Sequence, residues 1–329
     1  MNPSSMDEIT LIEAVNRALA FELAADPSVI LIGEDIGKNG GVFRATQGLQ
    51  ERFGESRVRD TPLAENMIAG LAVGMSAMGL KPVAEIQFMG FMYAALDQII
   101  SHASRLRNRT RGRLTCPLVI RAPYGAGIHA PEHHSESTEA LFAHIPGLRV
   151  VIPSSPLKTY GLLLAAIRDP DPVIFLEPSR IYRLFKQVVP DDGKALPLDT
   201  CFINREGNDV TLISWGAALR ETLEAAAFLS KERGIEADVI DVATIKPVDM
   251  ETILESVAKT GRCVIVHEAT KTLGVGAEIA ARVAETLLME LAAPIKRVTA
   301  YDTIVPLSRL EEYYMPSVER IVAAVESIV

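Results

Sequence analysis

Short runs of β-branched and other apolar residues recur along this chain, and stretches with helical spacing lie between them. Strands that run in one direction need a crossover connection, usually a helix, so this alternation predicts parallel sheets covered by helices. The predicted strands are Val29–Ile32, Pro82–Ile86, Leu118–Arg121, Arg149–Ile152, Val173–Leu176, Val210–Ser214, Ala237–Ile240, Cys263–Val266 and Ile295–Val298. The fold class expected from the sequence is therefore α/β.

Two domains are expected from the length of the chain and from the grouping of these strands. A chain of 329 residues that is 48% hydrophobic is long enough to form two cores. Between the two groups of strands, the segment from Gln187 to Asn208 is rich in proline, aspartate, glycine and polar residues, which is typical of a linker. We place the boundary near residue 195, so residues 1–195 and 196–329 are each expected to form a doubly wound α/β domain.

Charge and cysteine content exclude several classes of protein. The formal net charge of −9 disfavours a general nucleic-acid binder, because binding phosphates requires a basic face. The three cysteines lie far apart and match neither a disulfide framework nor a zinc-ligand spacing, which indicates a reducing compartment. Residues 1–7 lack the pattern of a signal peptide, and no apolar run has the length of a membrane span. We expect a cytoplasmic protein that binds neither nucleic acid nor membrane.

Glu65 leads a segment in which no ionisable side chain occurs before Lys81. The residues between them are mostly small or apolar, and such a helix is expected to pack on all sides. A carboxyl group at its start would be desolvated, which raises its pKa and suits proton exchange at neutral pH. The alternative is a half-exposed acid in a first helical turn, stabilised by the helix dipole.

A second acid, Glu34, follows the first predicted strand and precedes the glycine-containing segment Gly37–Arg44. Ligands of open α/β sheets bind at the carboxyl ends of strands, so this position is a candidate for a functional group. A solvated acid in a loop at the end of the strand is the alternative.

Three histidines lie within six residues in the glycine-containing loop that follows the third predicted strand: His129, His133 and His134. Glycines allow this loop to approach a ligand closely, and histidine exchanges protons near neutral pH. A zinc site is disfavoured, because no cysteine accompanies the cluster and no second group of spaced ligands follows. Proton transfer by one histidine is favoured, and a surface loop is the alternative.

Phe88, Phe91 and Tyr93 cluster after the second predicted strand, in a chain that is only 5% aromatic. Such a cluster could form a flat wall against a ring-shaped ligand. For any single member of the three, packing in the core is the favoured interpretation.

The common phosphate-binding motifs are absent from the sequence. Gly274 and Gly276 follow a strand and open a helix, but the third glycine of a dinucleotide fingerprint is missing, and the first strand lacks the motif altogether. The sequence contains neither a Walker-type loop nor a Gly-x-Ser-x-Gly elbow. It also lacks the Gly-Asp-Gly and distant Asn that would hold a diphosphate through magnesium. We infer that this chain does not hold a diphosphate alone.

Seven segments stand in the order seen in one known family. They are Gly33–Gly37, Gly41–Thr46, Asp60–Glu65, Glu85–Phe88, His134–Ser135, Pro146–Pro153 and Ala166–Asp169. From about residue 9 to the C-terminus, the chain resembles the beta subunit of the thiamine-diphosphate-dependent 2-oxo acid dehydrogenases, the decarboxylating components of the pyruvate and branched-chain complexes. The resemblance implies a thiamine pyrimidine-binding domain followed by a domain like the transketolase C-terminal domain.

The resemblance also implies roles for individual residues. Glu65 would match the glutamate that hydrogen-bonds the aminopyrimidine ring nitrogen of thiamine, where a shared proton activates the cofactor. Phe91 would match the aromatic residue that lies against the pyrimidine, and Glu34 would match a second acid near the cofactor that is coupled to proton relay. His134 would match the histidine that guides the 2-oxo acid and the reductive acylation of lipoyl. His133 is assigned no role.

A partner and two ions are implied in the same way. In this family an alpha subunit supplies the magnesium and diphosphate site, so the cofactor would lie at an interface within an alpha2-beta2 heterotetramer. A structural monovalent cation, with potassium as the candidate, would lie near Ala166, Asp169 and Asp171. Here Pro170 and Asp171 replace the amides that are commoner in the family.

With its alpha partner, the chain is expected to decarboxylate a 2-oxo acid oxidatively on thiamine diphosphate and to acylate the lipoyl domain of an acyltransferase component. Pyruvate is the favoured substrate, and a branched-chain 2-oxo acid or acetoin is the alternative. A self-contained nicotinamide dehydrogenase would need an intact fingerprint at the first strand. A scaffold without catalysis is disfavoured, because all four matched site residues are present: Glu34, Glu65, Phe91 and His134.

Overall fold

The computed structural model describes residues 7–329, and their contacts divide into two compact units. The first unit comprises the residues up to Tyr124 together with Phe142–Leu198. The second comprises Gly125–Leu141 together with Asp199–Val329. The units therefore do not follow the chain in two continuous stretches, since the segment that contains all three clustered histidines belongs to the second unit.

The first unit is built on a parallel sheet. Its strands are β1 (Glu8–Ile9), β2 (Val29–Gly33), β3 (Val58–Asp60), β4 (Lys81–Glu85), β5 (Val119–Tyr124), β6 (Arg149–Val151), β7 (Val173–Pro178) and β8 (Gln187–Val188). The main-sheet strands of this unit follow the order β6-β7-β5-β4-β2-β3, with all neighbours parallel. The two short strands β1 and β8 pair with each other in antiparallel fashion.

Helices connect the strands of this unit. They are α1 (Leu11–Ala25), α2 (Leu49–Phe53), α3 (Glu65–Ala77), α4 (Leu106–Arg109), α5 (Glu139–Ala143), which begins in the second unit, and α6 (Pro156–Arg168). Short 3-10 turns occupy Met89–Ala95, Ala103–Arg105 and Ser179–Ile181, and a π-helical turn occupies Gln98–His102. The 3-10 turn Glu132–His134 belongs to the second unit. Helix α1 begins at a capping box in which the Thr10 backbone N–H donates to Glu13 at 2.7 Å.

The second unit repeats the design with a smaller sheet. Its strands are β9 (Phe202–Arg205), β10 (Val210–Ser214), β11 (Ala237–Asp241), β12 (Thr244–Lys246), β13 (Cys263–Thr270) and β14 (Lys296–Ala300). Its later helices are α7 (Ala218–Arg233), α8 (Met250–Thr260), α9 (Val275–Leu287), α10 (Ser308–Tyr314) and α11 (Val318–Glu326). The sheet order is β14-β13-β10-β11-β9, in which β9 alone runs antiparallel to its neighbour. Its core packs residues such as Leu212, Val264, Leu229 and Ile321, all fully buried.

The prediction of an α/β fold is confirmed, and all nine predicted strands are present. The linker predicted over Gln187–Asn208 is wrong at both ends, because β8 begins at Gln187 and β9 pairs with β11. Short edge strands are held by backbone hydrogen bonds to a neighbouring strand, so composition alone does not identify them. Among residues 7–329, no helix is both long enough and apolar enough to span a membrane.

Candidate active site

The carboxyl edge of the first sheet collects three of the predicted site residues. Glu34 directly follows β2, Glu65 opens α3 after β3, and Phe91 lies in the 3-10 turn after β4. In the sheet register, Gly33 at the end of β2 lies opposite Asp60 of β3 and Glu85 of β4. Because these strands are parallel neighbours that end at the same level, the segments that follow them emerge side by side.

Backbone contacts fix the segment after β2 against the segment after β3. The Gly37 N–H donates to Asp60 Oδ1 at 2.6 Å, and the Thr61 N–H donates to the Gly33 carbonyl oxygen at 2.9 Å. The chain that carries Glu34 is therefore tied to the chain that leads into Glu65.

Glu34 is a half-buried acid whose environment favours its protonated form. Burial raises the pKa of this carboxyl above its ordinary value, and the nearby charges of Asp35 and Glu65 raise it further. A carboxyl group whose pKa is raised in this way is a candidate for proton relay.

Glu65 is half-buried at the first position of α3. The neighbouring Asn66 Nδ2 donates to the Ala94 carbonyl oxygen at 3.3 Å, which links the start of this helix to the turn that carries Phe91. This hydrogen bond therefore holds the start of α3, with Glu65, close to the turn that contains Phe91.

Helix α3 does not pack on all sides, so that prediction is wrong. It buries Ile68, Ala69 and Ala72, whereas Met67 and Leu71 remain 40% and 46% exposed. Composition indicates that this helix is apolar all round. A face is buried only where a neighbouring element covers it, and the first unit covers one face of α3.

The aromatic cluster divides into one core residue and two half-buried ones. Phe88 is 9% exposed, and its ring meets Phe43 and Phe91 edge to face, with ring centroids 5.5 and 5.6 Å apart. Phe91 stays half-buried, as does Tyr93. Core packing therefore accounts for Phe88, while Phe91 keeps part of its ring accessible beside α3.

Beneath this edge lies a buried ionic network that the sequence analysis missed. Arg121 of β5 donates from Nε and Nη2 to the two carboxylate oxygens of Glu177 of β7, at 2.6 and 2.7 Å, and from Nη1 to Glu85 of β4. Tyr182 Oη also donates to Glu177, at 2.6 Å. All four residues are at most 5% exposed. Charged residues inside apolar runs of neighbouring strands are the sequence signal that could have revealed it.

The network sets the charge balance of this region. Burial raises the pKa of Glu85, although the positive charge of Arg121 opposes the shift. Burial alone would lower the pKa of Arg121, but Glu177 and Glu85 raise it. The guanidinium therefore stays charged in the core, where it is shared between two carboxyl groups.

Glu85 also supports the glycine turn that follows Glu34. Gly41 adopts a φ of +80°, and a Cβ added there would lie 3.1 Å from Glu85 Oε1. A side chain at this position would be strained by the backbone and crowded by the carboxylate. The turn and the buried network are thus packed directly against each other.

The three clustered histidines have different surroundings within the second unit. His129 Nδ1 lies 2.9 Å from Glu311 Oε2, and the exposed His133 lies beside Glu136 at 3.9 Å. His134 is half-buried at the end of its 3-10 turn. Within the described part of the chain, residues 7–329, no group of three or more His, Cys, Asp or Glu side chains is arranged to hold a metal ion.

The segment predicted to surround a monovalent cation lies at the end of α6. Asp169 Oδ2 is 3.2 Å from Arg149 Nε, Asp171 Oδ1 accepts from Arg107 Nε at 2.6 Å, and the buried Ala166 accepts from the Asp169 N–H at 3.4 Å. An arginine therefore already pairs with one oxygen of each carboxylate. The site stays a prediction.

Comparison with known proteins identifies two domains along the chain. Residues 7–184 match the family model of the transketolase pyrimidine-binding domain, and residues 199–321 match that of the transketolase C-terminal domain. A pyruvate dehydrogenase E1 component subunit beta from Acholeplasma laidlawii is 49% identical, over 97% of this chain and 98% of its own length. The chain belongs to the transketolase-like family of pyruvate dehydrogenase E1 beta subunits. Membership of this family implies dependence on thiamine diphosphate.

Two further comparisons agree with the family assignment. A Bacillus subtilis (strain 168) protein of the same name is 47% identical over 95% of this chain and 96% of its own length. A solved structure described as a split gene transketolase, inactive beta4 tetramer, covers 98% of both chains at 25% identity with a TM-score of 0.79. The resemblance inferred from the sequence motifs is confirmed.

The ionic network generates the first prediction. The substitution Arg121→Leu leaves two buried carboxyl groups without their cation, so the free energy of unfolding should fall by about 3–5 kcal/mol. Urea-induced unfolding followed by circular dichroism measures the change. The matched control is Arg113→Leu, because Arg113 is exposed and its Nε donates to the Thr110 carbonyl oxygen of its own turn. The effect of this control should stay within about 0.5 kcal/mol. Equal midpoints for the two variants would show that the network contributes nothing to stability.

Proposed function

We propose that this chain is the beta subunit of an E1 component that oxidatively decarboxylates pyruvate and acylates the lipoyl domain of an acyltransferase component. The observation that carries the proposal is the convergence of Glu34, Glu65 and Phe91 at one edge of a pyrimidine-binding domain. Pyruvate is favoured because the relatives that cover the whole chain are named pyruvate dehydrogenase subunits. Branched-chain 2-oxo acids and acetoin are the alternatives that a substrate assay separates.

The residues at this edge fit a thiamine pyrimidine. When bound, thiamine diphosphate supplies the centre that stabilises negative charge during decarboxylation. Glu65 would hold a proton at the pyrimidine ring nitrogen from the first turn of α3, and the partly exposed ring of Phe91 would lie against the pyrimidine. Glu34, with its raised pKa, would pass protons close to Glu65.

Helix α3 supports the proposal of an alpha partner. Leu63 just before the helix is 71% exposed, and Met67 and Leu71 are exposed on the helix that begins with Glu65. Contiguous exposed apolar side chains are typical of a subunit interface. A partner that covers this face would also lie beside Glu65 and shield it from water.

The diphosphate would be held by that alpha subunit. This sequence lacks the Gly-Asp-Gly and distant Asn that bind magnesium and diphosphate, so we assign both to the partner within an alpha2-beta2 heterotetramer. The similar split transketolase structure is described as inactive in its beta4 form, which agrees with a chain that needs a second subunit.

His134 would serve the acyl-transfer half of the reaction. Its backbone N–H donates to the Pro131 carbonyl oxygen at 2.9 Å, and the following residue, Ser135, is fully buried. The imidazole is therefore presented from an ordered turn, from which it would guide the oxo acid and move a proton during acylation of lipoyl. His133 lies in the same turn but is exposed.

We place the reaction in the cytoplasm. The three cysteines, Cys116, Cys201 and Cys263, are free and buried, which supports a reducing compartment. Burial raises the pKa of the Cys116 thiol to about 11 and that of Cys263 to about 12, so neither is a reactive thiolate at neutral pH.

Cofactor binding tests the division of the site between two subunits. The isolated chain should bind thiamine diphosphate weakly or not at all, because the diphosphate-holding groups are missing from the sequence. Binding should appear when an alpha subunit is added. Isothermal titration of the chain alone and of the assembled complex measures this. Binding by the isolated chain at micromolar affinity or better would refute the division. The assembled complex, assayed with an artificial electron acceptor across several 2-oxo acids, identifies the substrate.

Replacing the carboxyl group of Glu65 should abolish most turnover. Glu65→Gln should lower the decarboxylation rate by about two to four orders of magnitude, the range for loss of a positioned proton transfer. Assembly should survive, because the substitution is nearly isosteric. Glu55→Gln, on an exposed acid of the same unit, is the control and should leave the rate unchanged. Near-normal rates in both variants would show that Glu65 only occupies a helix start and has no part in turnover.

The two adjacent histidines should differ in effect. His134→Ala should strongly suppress lipoyl acylation, whereas His133→Ala should cost little, because only His134 is assigned to the reaction and His133 is exposed. The measurement is acylation of a lipoyl domain for both variants. Equal losses would indicate a structural cluster.

A further inference from the structure

The loop that carries His134 is held by two buried acids of its own unit. We call residues 125–137 the histidine loop. Glu268 of β13 is 3% exposed and Glu311 of α10 is 1% exposed, and both direct their carboxylates at the backbone of this loop. Neither acid is one of the site residues proposed above.

Glu311 holds the first flank of the histidine loop. Its Oε1 accepts from the Gly127 N–H at 2.6 Å, and its Oε2 accepts from the His129 N–H at 3.1 Å. The same Oε2 lies 2.9 Å from His129 Nδ1. His129 has a φ of +58°, a left-handed conformation that is costly for a residue with a side chain. Three contacts from one carboxylate therefore stabilise a backbone conformation that the chain would otherwise avoid.

Glu268 joins the two flanks. Its Oε1 accepts from the Ala126 N–H and lies 3.4 Å from Ser137 Oγ at the other end of the loop. Gly125 has a φ of +92°, and a Cβ added there would lie 2.6 Å from this same oxygen. The Gly125 N–H also donates to the Glu136 carbonyl oxygen at 3.0 Å. The base of the loop is thus closed around the Glu268 carboxylate.

These bonds are of the strong, charge-assisted kind. Backbone N–H groups buried away from water need an acceptor, and a carboxylate serves two at once. With both flanks fixed, the turn between them, residues 130–135, has little freedom to move, and His134 lies within it. The placement of the imidazole then depends on the two carboxylates although neither is its neighbour in sequence.

We propose that Glu311, together with Glu268, is a positioning residue that holds the histidine loop so that His134 is placed for acyl transfer. The inference rests on the proposed function of His134. It assigns Glu311 no contact with substrate or cofactor, and its effect on the reaction passes through the loop backbone.

Glu311→Gln tests the carboxylate with little change of shape. Glutamine offers one acceptor oxygen, and its amide N–H₂ would face a backbone N–H that also donates. One of the loop donors is then left unsatisfied. Glu312→Gln is the matched control, because Glu312 is the adjacent residue of the same helix and is exposed.

Both variants should be assayed in the assembled alpha–beta complex. Glu311→Gln should speed hydrogen exchange at the amides of Gly127 and His129 at least about tenfold, because an acceptor is lost. Lipoyl acylation should fall about 10- to 100-fold, the effect of a displacement near the reacting groups. Glu312→Gln should change neither. Unchanged exchange in Glu311→Gln would overturn the proposal, as would normal acylation.

A double variant separates positioning from a general loss of structure. If Glu311 acts through His134, Glu311→Gln should add nothing to the acylation loss already caused by His134→Ala. Multiplied losses in the double variant would overturn the inference. If His134→Ala alone leaves acylation intact, the proposed function of His134 fails, whereas loss with His134→Ala but not with Glu311→Gln defeats only the positioning role. Should Glu311→Gln fail to assemble, Glu268→Gln replaces it with the same expected results, judged on the amide of Ala126.

Discussion

Two carboxylates and one guanidinium in the core of the first sheet fix the arrangement on which the site depends. Glu85, Arg121 and Glu177 lie on three neighbouring strands, so their bonds form only in one register. A slip by one residue would turn these charges to the other face and leave them unpaired in a dry environment. The same register brings the ends of β2, β3 and β4 to one level, and the segments with Glu34, Glu65 and Phe91 start from that level.

A common physical device holds the functional loops of both units. Buried carboxylates lie against glycine-containing turns, Glu85 against Gly41 in the first unit and Glu268 against Gly125 in the second. Glycine permits the positive φ of each turn and leaves room for the oxygen atoms. In each case the fold buries a carboxyl group away from water. The hydrogen bonds and contacts of that group maintain the conformation of the loop. The side chains with proposed roles are therefore carried by loops whose backbone conformation is stabilised by a buried carboxylate.

The sequence predicted the strands and the edge where functional groups gather, because alternating apolar runs determine a parallel sheet and its carboxyl ends. Only Glu34 was singled out by its place after a strand; Glu65 was singled out by the uncharged stretch that it leads, and Phe91 by the family resemblance, and their roles stay predictions. Contacts across long sequence separations were not predictable: Glu268 and Glu311 are 142 and 184 residues from the loop atoms they bind. Neither acid stands out in its own segment. The uncovered face of α3 was also missed, because composition shows that Met67 is apolar but not what lies beside it.

The apolar face of α3 ties the amount of useful protein to the supply of its proposed partner. A chain made in excess displays Leu63, Met67 and Leu71 to water, and such surface favours contact with another copy of itself. Binding of the partner stabilises the folded chain by mass action, so the two polypeptides need to be produced in matched quantities. The uncovered face of one helix thereby makes the relative dosage of the two genes a determinant of how much assembled protein a cell contains.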